Sequence, residues 1–201
     1  ESSGKGRSAE KNKRNNANFA RAFAGVEWTE LPKDRPFYAQ VNLPTVERTI
    51  KGWTGSASNP GNGQVHPAVT DPSAVTVPPY YPDHEITRKD WAGYLDAVSG
   101  MDDRAGEILR RLEADGLADD TIVIFFADNG RLEHRGHGFC YDSGDRVPFI
   151  IRWPKHFPAP RQYRAGTVSD QLISLIDLTA TTLSFAGLPK PAGMQSNAKG
   201  H

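Results

Sequence analysis

The sequence predicts an α/β fold, and the order of four segments supports this prediction. Residues 121–127 form a continuous apolar run, TIVIFFA, and a similar run, VPFIIR, follows at 147–152. Continuous apolar strands are typical of a parallel sheet that is covered by helices on both faces. A helical pattern precedes the first run and another follows the second, which is the order of α/β organisation. We therefore expect a mainly parallel sheet flanked by helices.

The helix at 87–115 has the stronger pattern of the two. Thr87 and Asp90 predict an N-terminal capping box, and Gly116 stands where a C-terminal cap belongs. The second helix is predicted at 169–186, with Ser169 as its cap and Gly187 after its end. Apolar side chains at spacings of three and four predict the core face of the first helix: Trp91, Tyr94, Leu95, Val98, Met101, Ala105, Ile108, Leu109 and Leu112.

The chain before the first helix predicts little regular structure. Residues 37–43, FYAQVNL, are rich in aromatic and β-branched side chains and predict a short strand. The segment 52–84 is dense in Gly, Pro, Ser and Asn and predicts one long loop, a kind of segment that is often functional or disordered. Within it, VPPYYP at 77–82 predicts extended backbone, which either pins the loop or presents its rings to a partner.

Composition excludes several classes of protein. The 201 residues carry 24 basic and 24 acidic side chains, and this zero net charge argues against a dedicated nucleic-acid binder. No apolar run reaches the roughly 18 residues of a membrane-spanning helix. The single cysteine, Cys140, excludes an internal disulfide and a multi-cysteine zinc cluster, and we expect it to be a small apolar residue near the core. The basic segment 1–16 predicts a solvated tail or, less simply, an anion-binding arm.

Candidate metal ligands follow the first apolar strand directly. Asp128 and Asn129 combine a carboxylate with an amide oxygen, and Gly130 lets the chain bend sharply after them. Ligands bind beyond the carboxyl ends of strands in open α/β sheets, and hard cations such as calcium prefer oxygen ligands. Asp, Asn and Gly also favour ordinary turns, so the tripeptide by itself leaves a plain turn as the alternative.

Four blocks of sequence in this order resemble the sulfatase family, most of all its bacterial members related to heparan N-sulfatase and arylsulfatases. They are GLADDTIVIFFADNG at 116–130, YDSGDRVPFIIRWP at 141–154, and the segments 80–113 and 174–189. The resemblance covers roughly residues 35–195. It implies an alkaline-phosphatase-like α/β sandwich, present here as a partial domain. It divides the chain into a polar lead-in at 1–34, the partial catalytic domain at 35–195 and a tail at 196–201.

The resemblance also implies roles for individual residues. Asp128 and Asn129 match the family's ligands of a calcium ion that holds the sulfate. His137 stands four residues before Tyr141, where the family usually has a sulfate-contacting lysine, and Arg135 is near enough in sequence to compensate. A histidine is only partly charged at pH 7, so an ordinary solvated loop histidine is the alternative for His137.

One nearby arginine, Arg146, is expected to be structural and to tether the loop through an acid such as Asp142.

Two positions depart from the family pattern. The region 35–50 resembles a family segment whose last histidine contacts the scissile oxygen, but the matching positions here are Asn42 and Glu47. A carboxylate there would meet an anionic sulfate, which is unfavourable unless the carboxylate is protonated or metal-bound. Glu47 is otherwise an ordinary loop acid that pairs with Arg48 or Lys51.

The nucleophile motif of the family is absent from the sequence. Sulfatases use a formylglycine made from the Cys or Ser of a Cys/Ser-x-Pro-x-Arg motif, and neither Cys140 nor any serine stands in such a motif. The family's earlier acidic metal ligands have no match either. Calcium takes roughly six to eight oxygens, and Asp128 with Asn129 supplies two or three. We therefore expect a C-terminal portion of a catalytic domain that is inactive in isolation and binds calcium weakly.

Two functions follow from these expectations. The first is a portion of a calcium-dependent sulfuric ester or sulfamate hydrolase that acts on a sulfated small molecule or glycan, together with the missing N-terminal part of the domain. The family is mostly exported, which implies a periplasmic or secreted protein. The alternative is a non-catalytic remnant that binds a partner or has a structural role. A phosphoester hydrolase of the same superfold would show more metal-binding His and Asp than this chain does.

Overall fold

The computed structural model describes residues 35–43, 46–49, 52–53, 66–132 and 134–195. The predicted segments 1–34 and 196–201, and residues 54–65 of the predicted long loop, lie outside these ranges. The chain divides into two compact units. The first comprises the described residues within Glu1–Val75 together with Arg88–Gly116, and the second comprises Thr76–Thr87 together with the described residues from Leu117 onward.

Helix α1, Glu85–Ala114, confirms the helix predicted at 87–115. It begins two residues earlier than the predicted cap, and the ring Nδ1 of His84 accepts the backbone N–H of Ile86 at 3.2 Å. The capping box of Thr87 and Asp90 is therefore wrong. The end of the helix is as predicted, because Gly116 has a φ of 71° and donates its N–H to the carbonyl of Glu113 at 2.9 Å.

A short hairpin and α1 form the core of the first unit. Strand β1, Arg48–Thr49, pairs antiparallel with β2, Gly52–Trp53. Trp53 is only 2% exposed, and its ring lies 4.8 Å from that of Tyr94 on α1. Arg48 donates to the carboxylate of Asp90 at 2.9 Å and lies over the Trp53 ring. The hairpin thus packs against the predicted apolar face of α1.

Helix α1 also buries an acidic side chain, which is not one of the residues predicted for its core face. Asp96 is 3% exposed, and its Oδ1 accepts the Thr70 hydroxyl at 2.7 Å and the Thr70 N–H at 3.1 Å. The N–H of Val69 lies at 3.4 Å from the same oxygen. These bonds fix residues 69–70 against the helix. Among the residues predicted for that face, Leu112 is buried, whereas Leu95 is exposed.

The strands of the second unit correct the predicted sheet. Strand β3, Val123–Phe126, and strand β4, Phe149–Arg152, confirm the two apolar strands, with shorter bounds. They pair antiparallel, with Val123 opposite Arg152 and Phe126 opposite Phe149. The expected mainly parallel sheet is not found in the described part of the chain. In the described part of the segment between the strands, the regular element is the one-turn helix α2, Asp142–Asp145, and the segment turns back on itself instead of crossing over.

Helix α3, Ile176–Phe185, is shorter than the predicted helix at 169–186. At the start of the predicted helix, the Ser169 hydroxyl accepts the N–H of Gln171. This local hydrogen bond competes with the hydrogen bonds of a helix. The end of α3 is as predicted. Gly187, at φ 69°, donates to Ser184, and Leu188 donates to Leu183, which together make a Schellman motif. The ring of Phe185 packs edge-on against Trp153 at 5.2 Å, which attaches α3 to the residue after β4.

Other predictions before α1 need correction. Residues 37–43 form no strand, and most of their side chains are exposed, because no strand in the described ranges pairs with them. The predicted long loop contains β2 and a 3₁₀ helix, Pro72–Ala74, which Asp71 caps. Hydrogen bonds from Ser73 hold the pKa of the Asp71 carboxyl below its ordinary value. Residues 78–81 form a turn closed by a 2.9 Å bond from the Tyr81 N–H to the Pro78 carbonyl, so the run at 77–82 is not continuously extended.

None of the described helices is both long enough and apolar enough to cross a membrane.

Candidate functional site

The connection between β3 and β4 contains a loop whose ends meet. We call residues 130–144 the 130–144 loop. At its base, the N–H of Gly130 donates to the carbonyl of Gly144 at 2.9 Å. Just before it, the N–H of Ala127 donates to the carbonyl of Pro148 at 3.3 Å and extends the β3–β4 pairing. Asp128 and Asn129 therefore lie between the end of the sheet and the base of this loop.

Glycine is required at both ends of the 130–144 loop by close approach of the backbone. A Cβ placed on Gly130 would lie 1.9 Å from the carbonyl oxygen of Ser143. A Cβ on Gly144 would lie 2.5 Å from the Phe139 oxygen and 2.6 Å from that of Gly136. Any side chain would force these segments apart, so the two glycines allow the loop to close on itself.

Asp128 and Asn129, which the sequence predicts to be metal ligands, lie just after β3. The Asp128 carboxylate is exposed and accepts no hydrogen bond from the described residues, and Asn129 is half-buried. Their oxygens are of the kind that calcium binds. The described residues hold no group of three or more His, Cys, Asp or Glu side chains that could enclose a metal. The donor chemistry fits calcium, and the number of donors fits only part of its coordination shell.

Arg135 has the most unusual position in the 130–144 loop. Its φ of 64° places it in the left-handed region, the only non-glycine residue of the described chain to do so. The Ser143 hydroxyl donates to its carbonyl oxygen. Its guanidinium carbon lies 4.2 Å from the ring centroid of Tyr141 and 5.3 Å from that of Tyr80. Two aromatic rings thus hold an exposed, permanent positive charge.

A second arginine in the same loop contacts the neighbouring tyrosine. Arg131 donates to the hydroxyl of Tyr81 at 2.6 Å, and its guanidinium lies 5.3 Å from the centre of that ring. The Tyr81 ring also packs on His134 at 5.4 Å. The tyrosines of the 78–81 turn therefore contact both arginines of the 130–144 loop. The YY pair in VPPYYP was the available sequence signal, but nothing in the sequence connects it with residues about 50 positions later.

The other predicted site residues of this unit have simpler surroundings. His137 is exposed, its N–H donates to the Arg131 carbonyl at 2.9 Å, and its ring makes no hydrogen bond to the described residues. The predicted tether from Arg146 to Asp142 is wrong, because only the backbone N–H of Arg146 contacts Asp142, at its carbonyl, while the guanidinium is exposed. Cys140 is exposed and does not lie in the core as expected, since it is in the loop.

Asn42 and Glu47 belong to the first unit, and both side chains are exposed. Arg48, next to Glu47, pairs with Asp90 at 2.9 Å. The predicted pairing of Glu47 with Arg48 stays a prediction, and Lys51 lies outside the described residues.

Comparison with known proteins identifies relatives of this chain. The model of the family described as Sulfatase matches residues 6–188. An ulvan-active sulfatase of Formosa agariphila is 27% identical over 199 aligned positions, which cover 86% of this chain and 32% of that protein. Human N-sulphoglucosamine sulphohydrolase is 35% identical over 126 positions, covering 63% of this chain and 24% of that protein.

A third relative, from Bacteroides thetaiotaomicron, is an N-acetylglucosamine-6-O-sulfatase. It is 34% identical over 106 positions, which cover 51% of this chain and 18% of that protein. The chain thus spans about a third or less of the length of these relatives.

Proposed function

Because this chain belongs to the sulfatase family, whose catalytic domains have an alkaline-phosphatase-like α/β fold, we propose that it contributes the metal-binding strand end of a calcium-dependent sulfatase. The reaction is hydrolysis of sulfate esters or sulfamates, and the substrates are sulfated glycans. Three relatives support this substrate class, since their names refer to sulfatases of ulvan and of amino sugars. The observation that carries the proposal is the Asp128–Asn129 pair between β3 and the base of the 130–144 loop.

Asp128 and Asn129 would hold the calcium ion through their carboxylate and amide oxygens. Bound calcium would supply positive charge that stabilises the oxygens of the sulfate group. The steric requirement for glycine at 130 supports this role. The chain bends at Asp128 and Asn129 before Gly130 packs against the Ser143 backbone, and the Asp128 carboxylate is exposed and accepts no hydrogen bond from the described residues. A carboxylate serving only as a turn cap would be expected to accept a nearby backbone N–H.

Arg135 and His137 would bind the sulfate as additional donors. The Arg135 guanidinium is charged at all relevant pH values and presents its N–H groups in a plane, which suits a tetrahedral or planar oxyanion. His137 would donate one ring N–H, and its exposed ring is available for this. Arg146, whose predicted tether to Asp142 is not found among the described residues, is another exposed basic residue near the site in sequence.

The nucleophile of the proposed reaction lies outside the sequence of this chain. No Cys/Ser-x-Pro-x-Arg occurs in the 201 residues, and the relatives are three or more times longer than the part that this chain matches. We therefore propose that the chain is the C-terminal portion of the catalytic domain and that the formylglycine and the remaining calcium ligands lie upstream.

An activity assay of the whole reading frame that encodes this chain tests the proposal. We expect sulfate release from a panel of sulfated monosaccharides, dependent on calcium, and loss of at least about a hundredfold in kcat for Asp128→Ala, because the charge stabilisation of the sulfate oxygens is removed. Asp170→Ala is the matched control, since Asp170 is an exposed acid of the same unit without a hydrogen bond or ion pair in the described residues.

Two outcomes would contradict the proposal. Sulfate release that survives Asp128→Ala or complete removal of calcium would show that Asp128 is no metal ligand. A reading frame that encodes no nucleophile motif and a product that releases no sulfate would favour the non-catalytic remnant, which Glu47 at the family's histidine position also suggests.

A further inference from the structure

The contacts of Arg135 single out a binding feature that the proposed metal site does not explain. Its guanidinium contacts two rings, with its central carbon 4.2 Å from the centroid of Tyr141 and 5.3 Å from that of Tyr80. Both tyrosines remain accessible, with 47% and 39% of their surface exposed. The ring faces contact the guanidinium, which leaves the N–H groups at its edge as the means of binding a ligand.

The local backbone holds Arg135 in place at an energetic cost. A non-glycine residue in the left-handed region is strained, because its Cβ comes close to the following carbonyl oxygen. The Ser143 hydroxyl donates to the Arg135 carbonyl and so stabilises this conformation. Residues with backbone strain of this kind cluster at active sites and ligand-binding segments. The two rings then restrict a long side chain that would otherwise lose conformational entropy on binding.

The charge of Arg135 has no acidic partner in the described part of the chain. No carboxylate or carbonyl there accepts a hydrogen bond from its guanidinium. Arg164 of the same unit is different, because its guanidinium donates to the carbonyls of Arg161 and Tyr163 at 2.7 and 2.8 Å. An exposed guanidinium that is held by rings and has all of its donors available is suited to bind an oxyanion.

We infer that Tyr80 and Tyr141 are positioning residues that make Arg135 a preformed oxyanion subsite, which works without the metal and without His137. The ligand is an acidic group of the saccharide substrate, either a sulfate or a carboxylate. That the ligand is a saccharide rests on the proposed function, whereas binding of the oxyanion itself does not. The turn at 78–81 then has a role, since it delivers the Tyr80 ring to the arginine.

Titration of the ¹⁵N-labelled 201-residue chain, followed by NMR in the presence of EDTA, tests the subsite. The probes are methyl sulfate and acetate at constant ionic strength, and the Arg135 Nε–H signal reports binding. We expect this signal to shift with at least one probe, and the probe that binds more tightly identifies a sulfate or a carboxylate subsite. Affinity should be constant from pH 6 to 8, because a guanidinium does not titrate there.

Variants test whether Tyr141 positions Arg135 for binding or only stabilises the loop. Tyr141→Leu should weaken binding by roughly two- to fivefold, the size of an exposed cation–π contact, and Tyr141→Phe should retain the affinity because the ring face remains. Arg135→Lys keeps the charge but loses the planar fork, so it should bind more weakly than the wild type. Arg164→Lys is the matched control and should bind as the wild type does.

Three results would overturn the inference. They are no shift of the Arg135 signal with either probe, equal affinities for Tyr141→Leu and Tyr141→Phe, or probe-induced shifts centred on His137 and not on Arg135. If the anion binds as expected and the whole reading frame hydrolyses no sulfate ester, then the proposed function fails and the subsite stands. If sulfate is hydrolysed while the Arg135 signal never shifts, then the subsite fails and the proposed function stands.

Discussion

Two glycines of the 130–144 loop set the geometry of the candidate site at the level of single atoms. The Gly130 N–H bonds the Gly144 carbonyl, and neither residue has space for a Cβ. Asp128 and Asn129 precede this contact directly, so their placement depends on it. The position of Asp128 and Asn129 therefore depends on residue 130 being a glycine, which has no side-chain carbon atom.

Gly130→Ala should destabilise the chain. The new methyl group would lie 1.9 Å from the Ser143 oxygen, so the backbone must move, at a cost of roughly 1–3 kcal/mol or more. Gly93→Ala is the matched control. Its methyl group would lie 3.5 Å from the Trp53 ring, an ordinary contact, and alanine in a helix is favoured by up to about 1 kcal/mol.

The midpoints of thermal unfolding of the two variants check this prediction. We expect the midpoint to fall for Gly130→Ala and to rise or stay unchanged for Gly93→Ala. Equal midpoints for both would mean that the base of the loop is not as tight as described.

Asp128 and Asn129 could be predicted as metal ligands because they follow an apolar strand and carry oxygens of the kind that calcium binds, and this role stays a prediction. The contacts of Tyr80 and Tyr141 with Arg135 could not be predicted, because they depend on how the 130–144 loop folds and, for Tyr80, on a segment far away in the sequence. The same limitation explains Arg146, whose tether to Asp142 was predicted from proximity in sequence and does not form.

Among the secondary-structure elements, α1 is held to the preceding chain by a polar contact as well as by its apolar face. Asp96 is buried and accepts three hydrogen bonds from Val69 and Thr70. A buried carboxylate with three donors is stable where an isolated one would not be. Helix α1 therefore fixes the position of residues that have no regular structure of their own.

Asp96→Ala should destabilise the first unit by roughly 1–3 kcal/mol, because the Thr70 and Val69 donors would lose their acceptor. The Thr70 amide should also exchange its hydrogen faster. Asp102→Ala is the control, since Asp102 is an exposed residue of the same helix without hydrogen bonds or ion pairs in the described chain. Urea unfolding and hydrogen exchange measure both effects, and unchanged exchange at Thr70 would contradict the described contact.

The helices and strands differ in how well the sequence predicted them, and the reasons are physical. Helix α1 has 30 residues with a strong 3.6-residue period, so its existence and its end at Gly116 were predictable. Its start was not, because a histidine cap is not among the usual signals. The strand at 37–43 failed because a strand exists only with a partner. The direction of β4 relative to β3 depends on how the intervening loop closes, which apolar runs do not encode.

For the whole molecule, the proposed calcium site can be tested on the chain by itself, although the chain spans only part of the length of its relatives. The chain matches 32% of one relative and 18% of another. Its described residues contain two candidate calcium ligands and no larger cluster of metal-binding side chains. We therefore expect the chain to have a low affinity for calcium.

The 201-residue chain should show no saturable calcium binding below about 1 mM, because complete extracellular calcium sites have dissociation constants of about 0.1–1 mM and this chain supplies only part of the ligands. Isothermal titration calorimetry of the chain, compared with its Asp128→Ala variant, checks this. Submillimolar binding that Asp128→Ala removes would show that the chain supplies a complete site.

Because a 2.9 Å hydrogen bond joins the two ends of the 130–144 loop, we expect the segment between them to tolerate replacement. Doubling the length of such a segment raises the entropic cost of closing it by only about 0.6 kcal/mol. We expect the strands on either side to keep their register when the segment is changed, provided that its terminal glycines and the backbone against which they pack are retained. New side chains can thus be introduced beside Asp128 and Asn129 by insertion or replacement within this segment, while the supporting sheet is left unchanged.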